Sequence, residues 1–356
     1  MIGTVAAQGP RTADQVYKNV KVLQGTSADS FNQGMHLISG ALGVNCEYCH
    51  VERDFVSDNV KKKDVARAMI IMTAELNQRT FQGKQVITCY TCHQGNAIPV
   101  NTPTLPRPDY PDDPKEKKPV SGLPSAAEII AKYMTALGGE QNLRQINTRI
   151  ITAQQDIPTG PGGVNSTPAQ IEINQKAPNL LLRTAKTKQG ALPSGFDGKT
   201  AWTQDAKGKV NLPVELEQLR ERRAADLYEP LNLAKEYGEL KVEGVEKIGS
   251  SDGYVLTGTF APGVPIHFYF DTKTGFLLRR ATVIPTAAGE SPFQVDYADY
   301  KDAGHGVKFP YTIRMEPAGP RTELTTHSTI RVQKIQENVA MDDARFIRPE
   351  SKPDSK

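Results

Sequence analysis

Between residues 13 and 100 apolar side chains recur three and four positions apart, the spacing of one helical face. "TADQVYKNVKVLQG" places Val16, Val20 and Leu23 in that register and offers Gly25 as a stop. "SADSFNQGMHLISGALG" has Ser27 or Asp29 to cap a helix that ends at Gly43. "DVARAMIIMTAELNQ" begins with a capping Asp64 and carries Val65, Met69, Met72 and Leu76 on one face. A further capped amphipathic helix is predicted over "SAAEIIAKYMTALGG". From about residue 147 the period changes to that of strands. "AQIEINQ", "NLLLRTAKT", "GYVLTGTF", "PIHFYF", "FLLRRATV", "FQVDYADY", "VKFPYTIRM" and "HSTIRVQKI" are short β-type runs between turn signals. "FDTKTGF" (270–276) reads as a hairpin turn, and "PVELEQLRERRAADLYEPLNLAKEY" as a helical insertion among the strands.

Between the two patterns lies "NTPTLPRPDYPDDPKEKKPVSG", residues 101–122, with six prolines and balanced charge. Such a stretch is an extended, semi-rigid linker. The predicted organisation is therefore a tail (1–12), a mainly helical domain (13–100), this linker, a domain of curved antiparallel sheet or open barrel with a few helices (123–350), and a short tail (351–356). The fold class is multidomain α + β. No apolar run reaches the length of a membrane span. The net charge of +3 is dispersed, which excludes a nucleic-acid surface. Lys61, Lys62 and Lys63 form the one basic run, read as a solvated loop before a helix, with docking of an acidic partner as the other reading. At the N-terminus no complete signal peptide is present, although Val5-Ala6-Ala7 before Gln8 reads like the tail of a cleavage site.

The four cysteines give the chemistry. They form two pairs, Cys46 and Cys49, then Cys89 and Cys92. Two CxxC pairs could hold zinc, but they lie far apart in sequence for a zinc ribbon. A redox dithiol would need a βαβ setting, which is missing. Each pair is instead followed at once by a histidine, His50 and His93. With 6 His in 356 residues, chance would do this twice roughly once in 3,500 sequences. CxxCH is the attachment signal for c-type haem: both thiols add to the vinyl groups from one short turn, and the next imidazole faces the iron. Two covalently bound haem c groups are expected, with His50 and His93 as proximal ligands. Asn45 and Thr88 are predicted caps, and Tyr48, Tyr90 and Thr91 are expected to pack beside the haems.

The sixth iron positions decide between electron transfer and reaction with small molecules. Upstream candidates are Met35, His36, Met69 and Met72. "MHLISGALGVNCEYCH" and "ARAMIIMTAELNQ…VITCYTCHQG" resemble the haem-binding units of the photosynthetic reaction-centre cytochrome c subunit family, over roughly residues 15–98. That resemblance implies a helix supplying an axial methionine ahead of each CxxCH. It points to Met35 for the first haem and Met69 for the second, within a Met-x-x-Met-Thr…Asn pattern formed by Met69, Met72, Thr73 and Asn77. His36 and Met72 are the alternatives. The family carries four haems and a distal histidine just before one motif, whereas this chain has two motifs and "FQGKQVIT" holds no histidine.

Residues 123–350 offer no catalytic constellation. His267, His305 and His327 are scattered, and Trp202 reads as core or rim. A helix followed by a curved meander with a helical insertion, and hairpins such as "GFDGKTAWTQD" and "YFDTKTGFLLRR", resemble the bacterial lipoprotein-localisation (Lol-type) fold. That resemblance implies an open barrel able to take a lipid or quinone-like molecule, or an assembly surface. The expected function is single-electron transfer by an exported dihaem c-type cytochrome, not an enzyme, located in the periplasm or outside the cell and serving redox partner proteins. A subunit of a conducting cytochrome polymer, self-assembled through the β domain, and a dihaem peroxidase are the alternatives.

Overall fold

Helix caps, a strand meander interrupted once by helices and a large apolar core organise the chain in a computed structural model, which describes residues 11–99, 122–159, 165–188, 190–317 and 328–350. Residues 1–10 of the N-terminal tail, residues 101–121 of the Pro-rich linker, the C-terminal tail and His327 lie outside the described residues.

In the helical region α1 (Ala13–Val16) is a single turn, and Val20 and Leu23 fall outside it. Asn19 and Leu23 both adopt positive φ, which breaks the helix that their spacing predicts. Helix α2 (Ala28–Leu42) matches its prediction: the Ser27 hydroxyl accepts from Ser30 N–H, and Gly43 closes the helix in the left-handed region at φ 63°. Helix α3 starts earlier than Asp64 and runs Lys61–Phe81, so Asp64 lies in its first turn and is not its cap. The three lysines thus open the helix. Lys63 is buried, donating to the carbonyls of Phe55 (2.9 Å), Val56 (3.3 Å) and Ser57 (2.8 Å). Lys62 Nζ lies 3.6 Å from the centroid of the Tyr48 ring. Helix α4 (Cys89–His93) is one turn long.

Helix α5 (Ala126–Ala136) is fastened by a capping box between Ser125 and Glu128, and α6 (Glu140–Arg144) follows it. Then come β1 (Thr148–Thr159), β2 (Asn165–Lys176), β3 (Leu180–Thr187), β4 (Gly190–Asp197), β5 (Ala201–Gln204) and β6 (Val210–Asn211). The helical insertion falls next, as α7 (Glu215–Ala225), a 3-10 turn over Glu229–Asn232 and α8 (Leu233–Tyr237). Strands β7 (Lys241–Ile248), β8 (Ser251–Ala261), β9 (Val264–Asp271), β10 (Leu277–Thr286), β11 (Gly289–Gly304), β12 (Val307–Pro317) and β13 (Ser328–Glu337) complete the described sheet.

All these strands pair antiparallel in one 13-stranded sheet, ordered β6-β5-β4-β3-β2-β1-β13-β12-β11-β10-β9-β8-β7. Each strand lies beside its sequence neighbour except at one place. Strands β6 and β7 are the two edges, the insertion α7–α8 lies between them in sequence, and β1 joins β13 instead. The sheet is therefore a curved meander that does not close. The turn after β9 is built as its residues predict: Asp271 Oδ1 accepts from Lys273 N–H (2.9 Å) and Thr274 N–H (2.7 Å).

The core sits on one half of the sheet. Ile129, Tyr133 and Leu137 of α5 pack with Leu233 and Tyr237 of α8 against Leu256, Phe268, Phe270 and Leu277. The Tyr133 and Phe270 rings lie 5.0 Å apart, as do those of Tyr237 and Phe268. Trp202 is buried, as a core residue.

Candidate functional site

Each CxxCH motif occupies a single helical turn, the geometry that brings both thiols and the following imidazole to one side of a planar ligand. In the first, Cys46–Tyr48 form a 3-10 turn after Asn45, whose side chain makes no cap bond. In the second, Thr88 precedes α4 and its N–H donates to the Thr91 hydroxyl at 3.0 Å.

The two imidazoles are prepared differently. His93 Nδ1 lies 2.9 Å from the Asn96 carbonyl. A carbonyl only accepts, so the proton sits on Nδ1 and the Nε2 lone pair is free for a metal. His50 Nδ1 is buried with no hydrogen-bond partner. Burial first, and the nearby Lys63 second, push its pKa below the ordinary histidine value, so the ring is held neutral. Neutral imidazole is the form that binds iron.

Burial raises the pKa of Cys46, Cys49 and Cys89 above the ordinary thiol value. Among the described residues no three His, Cys, Asp or Glu side chains converge on a point that could hold a metal, so the two pairs do not assemble a zinc site.

Around the motifs the protein leaves its apolar side chains uncovered. Val65, Met69, Met72 and Leu76, which line one face of α3, are 41–57% exposed. Of the 14 exposed large hydrophobic residues among the described ones, all but Val245 and Ile347 lie between residues 16 and 98. Between residues 11 and 99 the buried hydrophobic side chains are those of Ala13 and Ala41 alone. An amphipathic helix that does not bury its apolar face needs another apolar body to cover it. A planar apolar cofactor held at the motifs would meet that requirement. Tyr90 is also exposed, beside the second motif.

Several residues hold the motifs in place, and sequence patterns did not assign their roles. Buried Asn77 clamps the segment leading to Cys89: its Oδ1 accepts from Val86 N–H (3.0 Å) and Ile87 N–H (2.9 Å), and its Nδ2 donates to the Ile87 carbonyl (2.7 Å). Thr73 donates to the Met69 carbonyl at 2.8 Å. Gly43 abuts the loop after His93, where a Cβ would lie 2.0 Å from the Gly95 carbonyl oxygen, and Gly95 N–H donates to the Ala41 carbonyl. The end of α2 is thereby tied to the second motif.

Asp58 is the hub of the loop after His50. Its carboxylate meets Lys21 (2.7 Å), Lys63 (3.2 Å), Arg67 (2.9 Å) and the Asn19 amide (2.9 Å). Lys21 first, with Asn19, Lys63 and Arg67, holds its pKa far below the usual carboxylate range. The folded-state value is depressed, so this contribution is complete above the ordinary aspartate pKa of about 4 and fades as pH falls below it. Acid titration followed by hydrogen exchange is expected to loosen residues 51–58 below about pH 4. Asp58→Asn should show that looseness already at pH 7. Unchanged protection of this loop in the variant would show that the hub does not hold it.

The helical region rests on the sheet through the β10–β11 hairpin. A Cβ on Gly34 of α2 would lie 3.4 Å from Ala288 N and 3.6 Å from Ala287 Cβ, so the two backbones approach closely. Under this contact a cavity of about 1200 Å³ opens along the inner face of the sheet. Its wall on the α2 side includes Gln33, His36, Ser39 and Cys46. His36 thus faces the cavity with Cys46, and burial lowers its pKa; Met35, one residue earlier, is not in the cavity wall. His305 occupies the β11–β12 turn at φ 52°, and His267 Nε2 lies 3.9 Å from Glu243, so neither joins the motifs.

A one-turn CxxCH segment, given twice, lies beside helix faces left exposed among the described residues, in a helical region joined to an open antiparallel sheet. Residues 2–157 match the family model described as the photosynthetic reaction centre cytochrome C subunit. The cytochrome c subunit of the photosynthetic reaction center of Rubrivivax gelatinosus is 34% identical over 190 residues, covering 49% of this chain and 47% of that protein. The corresponding subunit of Thermochromatium tepidum is 35% identical over 108 residues, 29% of this chain and 26% of its own length. Cytochrome c-554 of Chloroflexus aurantiacus is 39% identical over 82 residues, covering 21% of this chain and 20% of that protein. The chain spans about a quarter to a half of the length of the first curated relatives it matches. Among solved structures, a LolA superfamily protein from Nitrosomonas europaea is similar at 13% identity and a TM-score of 0.42, covering 64% of this chain and 99% of that one.

Proposed function

We propose that this chain is an exported c-type cytochrome that carries two covalent haems and transfers single electrons. Cys46, Cys49 and His50 hold the first, and Cys89, Cys92 and His93 the second. The observation that carries the reading is the Nε2 of His93, left to face a ligand by the Nδ1 contact with the Asn96 carbonyl, together with an α3 face of Val65, Met69, Met72 and Leu76 left exposed among the described residues. Similarity to reaction-centre cytochrome c subunits supports the same chemistry. A covalently held haem supplies a one-electron couple, and a thioether sixth ligand sets it high. The chain's own part is to keep the His50 imidazole neutral, to orient that of His93 through the Asn96 carbonyl, to hold the attachment turns through Asn77, Lys63 and Asp58, and to shield the haem faces. Met35 and Met69 are the proposed distal ligands. In this reading a helical domain (13–100) is tethered by the linker (101–122) to a β domain (123–350) that serves docking or assembly with redox partners in the periplasm or outside the cell.

One observation favours a second ligand set at the first haem. His36 and Cys46 share a cavity wall that Met35 does not join, which would make that haem His50/His36 and lower its potential. Counting haem per chain and titrating its potential, in the parent and in Met35→Ala, His36→Ala, Met69→Ala and Met72→Ala, separates these outcomes. Two haems at positive potential, with the methionine-to-iron charge-transfer band reduced by Met35→Ala and Met69→Ala alone, are expected. A strongly negative potential lost in His36→Ala would replace Met35, and one haem or none per chain would overturn the reading itself.

A further inference from the structure

The two cysteine motifs match in sequence but not in what surrounds their histidines. We infer that Lys63 is a positioning residue that makes the His50 site the more oxidising of the two. It deprives that imidazole of an acceptor and sets a buried cation beside it. The inference rests on the haem assignment proposed above, with a methionine on each iron, and adds an order between the two sites.

His93 Nδ1–H donates to the Asn96 carbonyl at 2.9 Å. Such a bond makes the ring a stronger electron donor through Nε2, which favours ferric iron and lowers the potential. The His50 ring lacks it, since its Nδ1 is buried without a hydrogen-bond partner. The carbonyl that bears on this ring is that of Phe55, and it accepts from Lys63 Nζ at 2.9 Å. The next two carbonyls, of Val56 and Ser57, accept from the same ammonium at 3.3 and 2.8 Å. Lys63 thus gathers the backbone acceptors of the loop that follows His50. The ring it leaves without one is the weaker donor, which favours ferrous iron.

Charge acts in the same direction. Ferric haem carries one more positive charge than ferrous, so a nearby cation disfavours it, most of all where water is excluded. Lys63 is buried, and Asp58, 3.2 Å from it, is shared with Lys21 and Arg67 and so cancels only part of the charge. Lys62 adds a cation 3.6 Å from the centroid of the Tyr48 ring, inside the motif itself. Glu47, beside Cys46, and Asp64, 2.9 Å from Arg67, act in the opposite sense, but both are exposed and screened by water. At the second motif the Cys89 thiol answers to burial, its own turn and Cys92, whereas Cys49 answers to burial and then Lys62. A single electron delivered by a reducing partner protein then settles at the first site. Its iron passes from ferric to ferrous while the donor loses one electron.

Spectroelectrochemical titration of the full haem-loaded chain tests this in the parent, Lys63→Met, Lys63→Arg and Asp58→Asn, with haem counted in each. Two couples are expected in the parent. Lys63→Met should lower the upper one by about 59 mV or more, a tenfold change in its ferrous-to-ferric ratio, and leave the lower one in place. Lys63→Arg keeps the charge and should stay near the parent value. Asp58→Asn frees the same loop but removes a negative charge, so it should move the upper couple up. A merely structural role for the loop would move that couple down in both Lys63→Met and Asp58→Asn. A second reading needs no variant: in 1H–15N spectra of the ferrous parent, the His93 Nδ1–H should lie downfield of that of His50. Neither couple shifting in a Lys63→Met protein that keeps both haems, equal shifts of both, or a fall confined to the lower couple would overturn the inference. So would a fall in Asp58→Asn, or matching Nδ1–H shifts for the two histidines. Fewer than two haems in the parent would overturn the assignment beneath it, and the inference with it.

Discussion

Protein made without haem attachment, as the Cys46→Ala/Cys49→Ala/Cys89→Ala/Cys92→Ala variant, is expected to keep its β-sheet and lose fixed tertiary structure from residue 11 to 99. The reason is a difference in cores. The sheet has a large apolar cluster of its own, with Leu256, Phe268, Phe270 and Leu277 fully buried against α5 and α8. The helical region buries only two alanines among its apolar residues. Each large side chain on α3 would gain up to about 1.5–3 kcal/mol on being covered, and Val65, Met69, Met72 and Leu76 are left largely exposed among the described residues. Hydrogen exchange reads both parts at once: slow amides in β8–β10 and fast amides in α2 and α3 are expected. Protection of α3 equal to that in the haem-loaded protein would show that the helices hold without a prosthetic core.

Arg280→Met should be among the most damaging single substitutions in the β domain. It removes the guanidinium from Glu229 and leaves a carboxylate enclosed among Tyr133, Tyr237 and Phe268 with the Tyr237 hydroxyl as its remaining donor. Breaking a buried pair in this way costs about 3–5 kcal/mol, because the surviving charge is stranded. Replacing both partners, Arg280→Met with Glu229→Leu, should recover most of that loss, since two apolar groups of similar volume make no such demand. Denaturant unfolding of the single and double variants measures the difference. A double variant no more stable than the single one would place the role of Arg280 in shape or in its stacking on Phe268 rather than in charge.

Much of the local structure was legible because it depends on neighbours in sequence. Ser27 and Gly43 bracket α2 by capping chemistry that operates within one turn, and Asp271 with Gly275 closes the β9–β10 turn for the same reason. Residues 12–25 were not legible in this way. Their apolar spacing suits a helix, but Asn19 and Arg67 tie the segment to the loop after His50, through the Val56 carbonyl, Asp58 and the Asn19 carbonyl, and a straight helix could not follow that path. The basic run at Lys61 to Lys63 misled for a related reason. A lysine is solvated unless several acceptors converge on it, and three carbonyls arrive at Lys63 from a loop that folds back across α3.

The candidate site divides along the same line. CxxCH is a covalent spacing, so both motifs were readable from six positions of the sequence itself, and each folds into a single turn. Local pattern also showed a β meander interrupted once by helices. Tertiary structure decided what distance in sequence conceals. It paired β1 with β13, left the sheet open between β6 and β7, turned His36 and not Met35 toward the cavity, and gathered Tyr133, Glu229, Arg280 and Tyr297 at one floor. Those four come from a helix, a turn and two strands spread over more than 160 positions, and only the curvature of the sheet brings them together.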